Sequence, residues 1–145
     1  MLMTTEFKFN TVEESRIDKV NLKELPFGSV FSDHQFQMEF KGGEWQQGVF
    51  GPYGDMTLSP AAMGLHYGQA IFEGMKAFRQ PDGSVALFRP MENIRRFNKS
   101  AERMSMALLD EGLFLNALIE LIKLDEQWVP DGSGSSLYIR PFMFA

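Results

Sequence analysis

The chain has 145 residues, with 19 acidic side chains against 14 Lys and Arg, two His, no Cys, a net charge of −5 and a pI near 5.0. That length fits one domain, which hides roughly 68–70% of its extended surface on folding, and the 44% hydrophobic content is enough for a core without metals or crosslinks. The acidic balance argues against general nucleic-acid binding, and the missing thiols exclude a disulfide frame, a thiolate zinc site and a cysteine nucleophile, a composition suited to a reducing cytoplasm.

Residues 1–25 are polar and charged with scattered apolar positions, and read as an arm with room for one short strand. From Phe31 the pattern changes: His34, Phe36, Met38 and Phe40 alternate with Asp33, Gln35, Gln37 and Glu39, the period of two of a strand with one wet face. Lys41-Gly42-Gly43-Glu44 supplies a turn, and Trp45, Gln47, Val49 and Phe50 resume extended character, making a hairpin. Pro52, Gly54 and Pro60 then break the chain into loop. Residues 65–74 form a turn or two of helix stopping at Gly74, a residue suited to a helix C-terminus. A second hairpin is signalled by Met75–Phe78 and Ser84–Arg89 around Pro81-Asp82-Gly83.

Pro90 opens a helix whose stripe is Ile94, Phe97, Ala101, Met104 and Leu108, because proline at the first helical position costs no hydrogen bond. A second helix runs from Glu111 to about Gln127, capped by Asp110, with Leu109 stapled to Phe114 and with Phe114, Ala117, Leu118, Leu121 and Ile122 inward. Pro130–Gly134 is a loop, and Ser135–Phe144 is an extended strand. The last apolar residues lead to Ala145 without a polar tail, the pattern expected of a piece of a longer protein. No run approaches the ~18 apolar residues of a membrane span, and the first 20 residues lack a basic region followed by an apolar core, so the chain reads as soluble.

Most site signatures are weak. His34 and His66 have no metal-spaced partner, and the glycine-rich run Asp131–Ser136 precedes a strand and lacks the lysine of a P-loop. The acidic pairs Asp110-Glu111 and Asp125-Glu126 lie at helix ends, where caps and solvated charge explain them. More informative are the cations around the first long helix, Arg89, Arg95, Arg96, Lys99 and Arg103. Arg96 can pair with Glu92 four residues earlier or grip an anion with its planar fork. Tyr138 and Arg140 share one strand face, opposite Leu137 and Ile139, and in a cleft would offer an aromatic wall and a cation for a carboxylate.

The block Leu65-His66-Tyr67-Gly68-Gln69-Ala70-Ile71-Phe72-Glu73-Gly74-Met75-Lys76-Ala77-Phe78, followed by Leu87-Phe88-Arg89-Pro90, Asn93, Arg96 and Ser136-Leu137-Tyr138-Ile139-Arg140-Pro141, closely resembles the amino-terminal domain of branched-chain amino acid aminotransferases, pyridoxal-phosphate enzymes of fold type IV. The resemblance runs from about Phe27 to the end. The phenylalanine-glutamate-glycine block alone leaves open D-amino acid aminotransferases and aminodeoxychorismate lyases, but Gly-Met-Lys-Ala-Phe and Leu-Tyr-Ile-Arg-Pro favour the branched-chain group. The resemblance implies an α+β small domain, residues 26–145, with a mainly antiparallel sheet and two packed helices, following the arm at 1–25.

It also implies roles. Arg96 matches the arginine that holds the cofactor phosphate, and Phe27, Tyr67, Phe72, Tyr138 and Arg140 match positions lining the substrate pocket. Aromatic walls desolvate a branched aliphatic side chain, while the strand arginine accommodates the acidic side chain of glutamate. In the family the lysine that binds the cofactor covalently lies in a large carboxy-terminal domain. The seven lysines here, Lys8, Lys19, Lys23, Lys41, Lys76, Lys99 and Lys123, do not match it, and Lys76 reads as a strand surface residue. The implied parent is therefore a cytoplasmic homodimer with pyridoxal 5'-phosphate, transferring amino groups between Leu, Ile or Val and 2-oxoglutarate, with neither nucleic acid nor membrane as partner. These 145 residues alone are expected to be inactive and to hold no cofactor. The alternative from another class is a non-catalytic binding or assembly module.

Overall fold

The computed structural model describes residues 7–22, 25–132 and 134–145. Parts of the predicted arm (1–6, Lys23 and Glu24) and Ser133 of the glycine-rich run lie outside the described residues. The chain divides into two compact units, Met1–Gly54 with Ala117–Trp128 and Asp55–Asn116 with Val129–Ala145.

In the first unit the arm does contain a short strand, β1 (Lys8–Phe9), and it is followed by β2 (His34–Gln37), β3 (Phe40–Lys41), β4 (Glu44–Trp45) and β5 (Val49–Pro52). A three-stranded sheet has the order β1-β5-β2, with β1 parallel to β5 and β2 antiparallel to it, Phe36 opposite Phe50. Phe50 is fully buried, with Phe7 set edge-on and Phe9 stacked against it at ring-centroid distances of 5.4 and 4.8 Å, so aromatic packing holds this sheet together. The period-two pattern is kept only in part, because Asp33 on the face expected to be wet is buried and Phe40 on the other is exposed. The strand expected to run to Phe40 stops at Gln37 and restarts as the β3–β4 ribbon across the predicted glycine turn. The pairing changes hands: Gln37 lies opposite Val49, the first residue of β5, and the preceding Gly48 carbonyl is taken by Lys8.

The arm is fastened through Asp33, which is 2% exposed. Its carboxylate accepts from the Ser15 hydroxyl at 2.5 Å, the Trp128 indole at 2.8 Å, and the Arg16 backbone N–H and Nε at 3.1 Å. Burial pushes its pKa up, but these donors outweigh burial and hold it at about 2 against an ordinary 3.8. A depressed acid stabilises the fold above its unfolded pKa and ceases to do so as pH falls through the folded value. Asp33→Asn should therefore lower stability by about 2 kcal/mol near neutrality, with the deficit shrinking between pH 3.8 and 2. Urea unfolding across that range checks this, and a pH-independent deficit would contradict it.

Asp125, expected at a solvated helix end, is instead 1% exposed. Its two oxygens accept from the His34 backbone N–H at 3.0 Å and from Nδ1 at 2.6 Å, while the Val12 N–H donates to Nε2 at 3.1 Å. Because a backbone N–H can only donate, Nε2 is the acceptor and Nδ1 carries the proton. Its neighbour Glu126 stays exposed, as expected.

The second unit opens on α1 (Met63–Tyr67), earlier and shorter than the helix expected over 65–74. It ends at Gly68, which takes the left-handed conformation at φ 64°, because Ala70–Phe72 leave the helix to form β6. The second hairpin is β7 (Met75–Arg79) with β8 (Val85–Leu87), shorter at its far end than Ser84–Arg89 since Arg89 turns left-handed at φ 48° to start α2 (Pro90–Arg103). Ile94, Phe97 and Ala101 are buried along α2 as the stripe predicts. Met104 only flanks the helix end, and Leu108 lies outside it, 54% exposed, because the backbone reverses at Ser105, φ 54°. Ile71, Phe97 and Ala101 form a core cluster, with Met104, Met106, Leu109, Phe114 and Met143 packed against it.

Helix α3 (Glu111–Leu124) is capped by Asp110, whose Oδ1 accepts from the Leu113 N–H at 2.8 Å, and stops before Gln127 in a 3-10 turn over Glu126–Trp128. The strand expected over 135–144 is two strands, β9 (Leu137–Ile139) and β10 (Phe142–Phe144). The break is at Arg140-Pro141, since β9 joins the sheet β8-β7-β9 while β10 pairs with β6, and proline cannot donate to a ladder. The architecture is α+β, with all described strand pairs antiparallel except β1–β5. Among the described residues no helix is long and apolar enough to cross a membrane.

Candidate functional site

Three successive residues at the end of β6 organise the second unit's polar chemistry. Phe72 is 65% exposed whereas Glu73 is 6% exposed, so the strand's alternation sends their side chains to opposite sides. The Arg140 guanidinium lies 4.5 Å from the centre of the Phe72 ring and donates to the Tyr138 hydroxyl from Nη2 at 2.7 Å and Nε at 3.1 Å. Tyr138 and Arg140 thus meet, as their shared parity predicts, and Phe72 at the end of β6 completes the cluster. Gly74 completes the run, because a Cβ there would overlap the Tyr138 hydroxyl. Gly74→Ala should push the Tyr138 ring, and Arg140 with it, out of place and cost about 1–3 kcal/mol of stability. Near-UV circular dichroism with thermal unfolding reads both effects, and an unperturbed aromatic signal would refute the displacement.

On the buried side, Glu73 accepts from Arg96 Nε at 2.5 Å and from Nη2 at 2.7 Å. Asn93 Nδ2 donates to the same carboxylate at 3.2 Å and to the Gly74 carbonyl at 3.2 Å. The Arg96 hydrogen bonds lower the Glu73 pKa despite burial, with Asn93 and the Gly74 N–H adding to the effect, and the carboxylate in turn raises the Arg96 pKa. The sequence pairing of Arg96 with Glu92 does not occur: Glu92 takes Arg95, one residue closer in sequence, at 2.7 Å. The Arg96 side chain remains 64% exposed, and among the described residues its Nη1 has no partner. A shallow groove beside it is lined by Ala70, Ile71, Lys99, Ser100, Arg103 and Met104, a concentration of positive charge in an acidic chain.

Of the other candidate residues, Tyr67 ends α1 at 77% exposure and takes no part in the Arg140 cluster. Phe27 belongs to the first unit and is 78% exposed. Lys76 is exposed on β7, the surface role expected of it. The parts played by Glu73 and Asn93 do not emerge from motif reading. A signal was present: Glu73 shares parity with Ile71, so a charged residue falls on the buried side of a strand.

No family model matches the chain. It is 50% identical over 129 residues to branched-chain-amino-acid transaminase 1 of Bacillus subtilis, covering 88% of this chain and 36% of that protein. It is 43% identical over 144 residues to a probable branched-chain-amino-acid aminotransferase of Staphylococcus epidermidis, covering 99% of this chain and 40% of the relative. The crystal structure of the Escherichia coli branched-chain amino acid aminotransferase superposes with a TM-score of 0.57 at 21% identity, over 78% of this chain and 33% of that one. The chain thus spans little more than a third of the length of these relatives.

Proposed function

We propose, from the premise that this chain belongs to the branched-chain-amino-acid aminotransferase family over the third or so of those proteins that it spans, that it is the small domain of a transaminase. The reaction is reversible amino transfer between Leu, Ile or Val and 2-oxoglutarate, in a cytoplasmic homodimeric enzyme of fold type IV whose covalent lysine lies outside these residues. The observation that carries this reading is the Phe72-Glu73-Gly74 run, which joins an aromatic and arginine cluster to a second arginine held ready for an anion.

The residues present suit pyridoxal 5'-phosphate. Arg96 is anchored along its Nε–Nη2 edge and keeps Nη1 for a phosphate, the bidentate and directional role that a guanidinium serves better than an ammonium. When bound, that cofactor supplies an electron sink for the α-carbon of the amino acid. This chain's side chains bind and orient. Phe72 and Tyr138, with Tyr67 as a further pocket position, exclude water from a branched aliphatic side chain, and Arg140 receives the carboxylate of glutamate in the same pocket.

The test is to express the complete reading frame containing these residues, supply pyridoxal phosphate and assay amino transfer to 2-oxoglutarate. Transfer from leucine, isoleucine and valine is the expected result. Activity with D-alanine and none with the branched-chain amino acids would assign the chain to the D-amino acid group instead. A reading frame without a second, lysine-bearing domain would make it a binding module.

A further inference from the structure

Arg96 is 64% exposed on its side chain, yet it is tied to a carboxylate that is 7% exposed. An arginine on a helix surface would normally sample many rotamers, with considerable side-chain entropy to lose on meeting a ligand. Here both Nε and Nη2 are engaged at 2.5 and 2.7 Å. Such a side-on bidentate pair fixes the plane of the guanidinium as well as its position. The carboxylate is itself held: Asn93, on the same helix as Arg96, donates to Oε2 at 3.2 Å and clamps the Gly74 carbonyl, and the Gly74 N–H reaches Oε2 at 3.3 Å. The backbone N–H of Glu73 is fixed too, donating to the Pro141 carbonyl at 2.9 Å.

We propose that Glu73, supported by Asn93, is a positioning residue that presents the Nη1 edge of Arg96 to the phosphate of the cofactor. This rests on the reading of Arg96 given under Proposed function and adds to it a cause: the orientation is set before the ligand arrives, so little ordering cost remains at binding. An opposing effect exists, because the Glu73 charge partly cancels that of Arg96 and would by itself weaken attraction for an anion. Preorganisation and cancellation make opposite predictions.

The experiment compares dissociation constants for pyridoxal phosphate and for pyridoxal, which lacks the phosphate, in the full-length protein containing this chain. The variants are Glu73→Gln, Arg96→Ala and the double substitution, with Arg103→Ala as control. The expected result for Glu73→Gln is a loss of roughly tenfold in the preference for pyridoxal phosphate over pyridoxal, with pyridoxal binding itself unchanged. In the Arg96→Ala background, Glu73→Gln should change the preference no further. A merely structural Glu73 would weaken both ligands alike and lower the thermal midpoint in step, which would overturn the proposal. So would an increased preference for the phosphorylated form, the signature of charge cancellation. If Arg96→Ala collapses the preference and Glu73→Gln leaves it intact, the phosphate reading stands and the positioning role fails. If Arg96→Ala leaves it intact, both fail. Should Glu73→Gln not fold, Asn93→Ala, which removes only support of the carboxylate, carries the same comparison with a smaller expected loss.

Discussion

Asp125→Ala is expected to destabilise the protein by about 3–5 kcal/mol, a large share of the ~5–15 kcal/mol that keeps a domain folded. The substitution strips the acceptor from two donors of His34, the backbone N–H at 3.0 Å and Nδ1 at 2.6 Å, at a site only 1% exposed. Hydrogen bonds to a charged acceptor contribute about 1.5–3 kcal/mol each, and the buried donors left behind cannot turn to water. Urea denaturation measures the loss. A helix-end residue acting only as a cap or solvated charge would cost nearer 1 kcal/mol, so a deficit of that size would restore the surface role that the sequence alone suggests. Asp125→Asn should fall between, since one oxygen still accepts while the amide N–H₂ faces the other donor.

In the full-length transaminase proposed above, Arg140→Ala should raise KM for glutamate and 2-oxoglutarate on the order of tenfold to a hundredfold, following the loss of a charge-assisted contact, with a change of less than about threefold for leucine, which presents no side-chain charge. The asymmetry comes from position: the guanidinium sits over the Phe72 ring at 4.5 Å and is oriented by the Tyr138 hydroxyl, at the edge of an aromatic wall rather than within it. Arg140→Lys should not restore the acidic substrate, because an ammonium neither stacks on the ring nor forks toward a carboxylate. Steady-state kinetics with both amino donors decides the matter. An equal rise for leucine and glutamate would remove Arg140 from side-chain discrimination.

The legible features are those set by near neighbours. The turns at Gly42-Gly43 and Asp82-Gly83, the proline start of α2, its Ile94-Phe97-Ala101 stripe and the Asp110 cap of α3 each depend on residues within a few positions, and each stands where the pattern puts it. The errors share another origin. Residues 65–74 carry acceptable helix propensity, but Ala70–Phe72 are claimed as a strand by Phe142–Phe144, far along the chain, and pairing outweighs propensity of a few tenths of a kcal/mol per residue. The same competition splits 135–144 into β9 and β10 around Arg140-Pro141, which delivers Arg140 to Phe72.

By itself the sequence determined the inventory: an α+β chain, two long helices with known inward faces, and a short set of arginines and aromatics able to do chemistry. Periodicity and turn residues encode these locally, so one sequence suffices. Only the tertiary structure decided whom each charge meets. Arg96 has Glu92 within helical reach and takes Glu73 instead, Asp125 leaves solvent for His34, and Asp33 gathers Ser15, Arg16 and Trp128. A charge at the surface gains little from any one neighbour in water, so sequence spacing barely ranks the options. Once burial removes water, an unpaired carboxylate becomes prohibitive and a single arrangement wins.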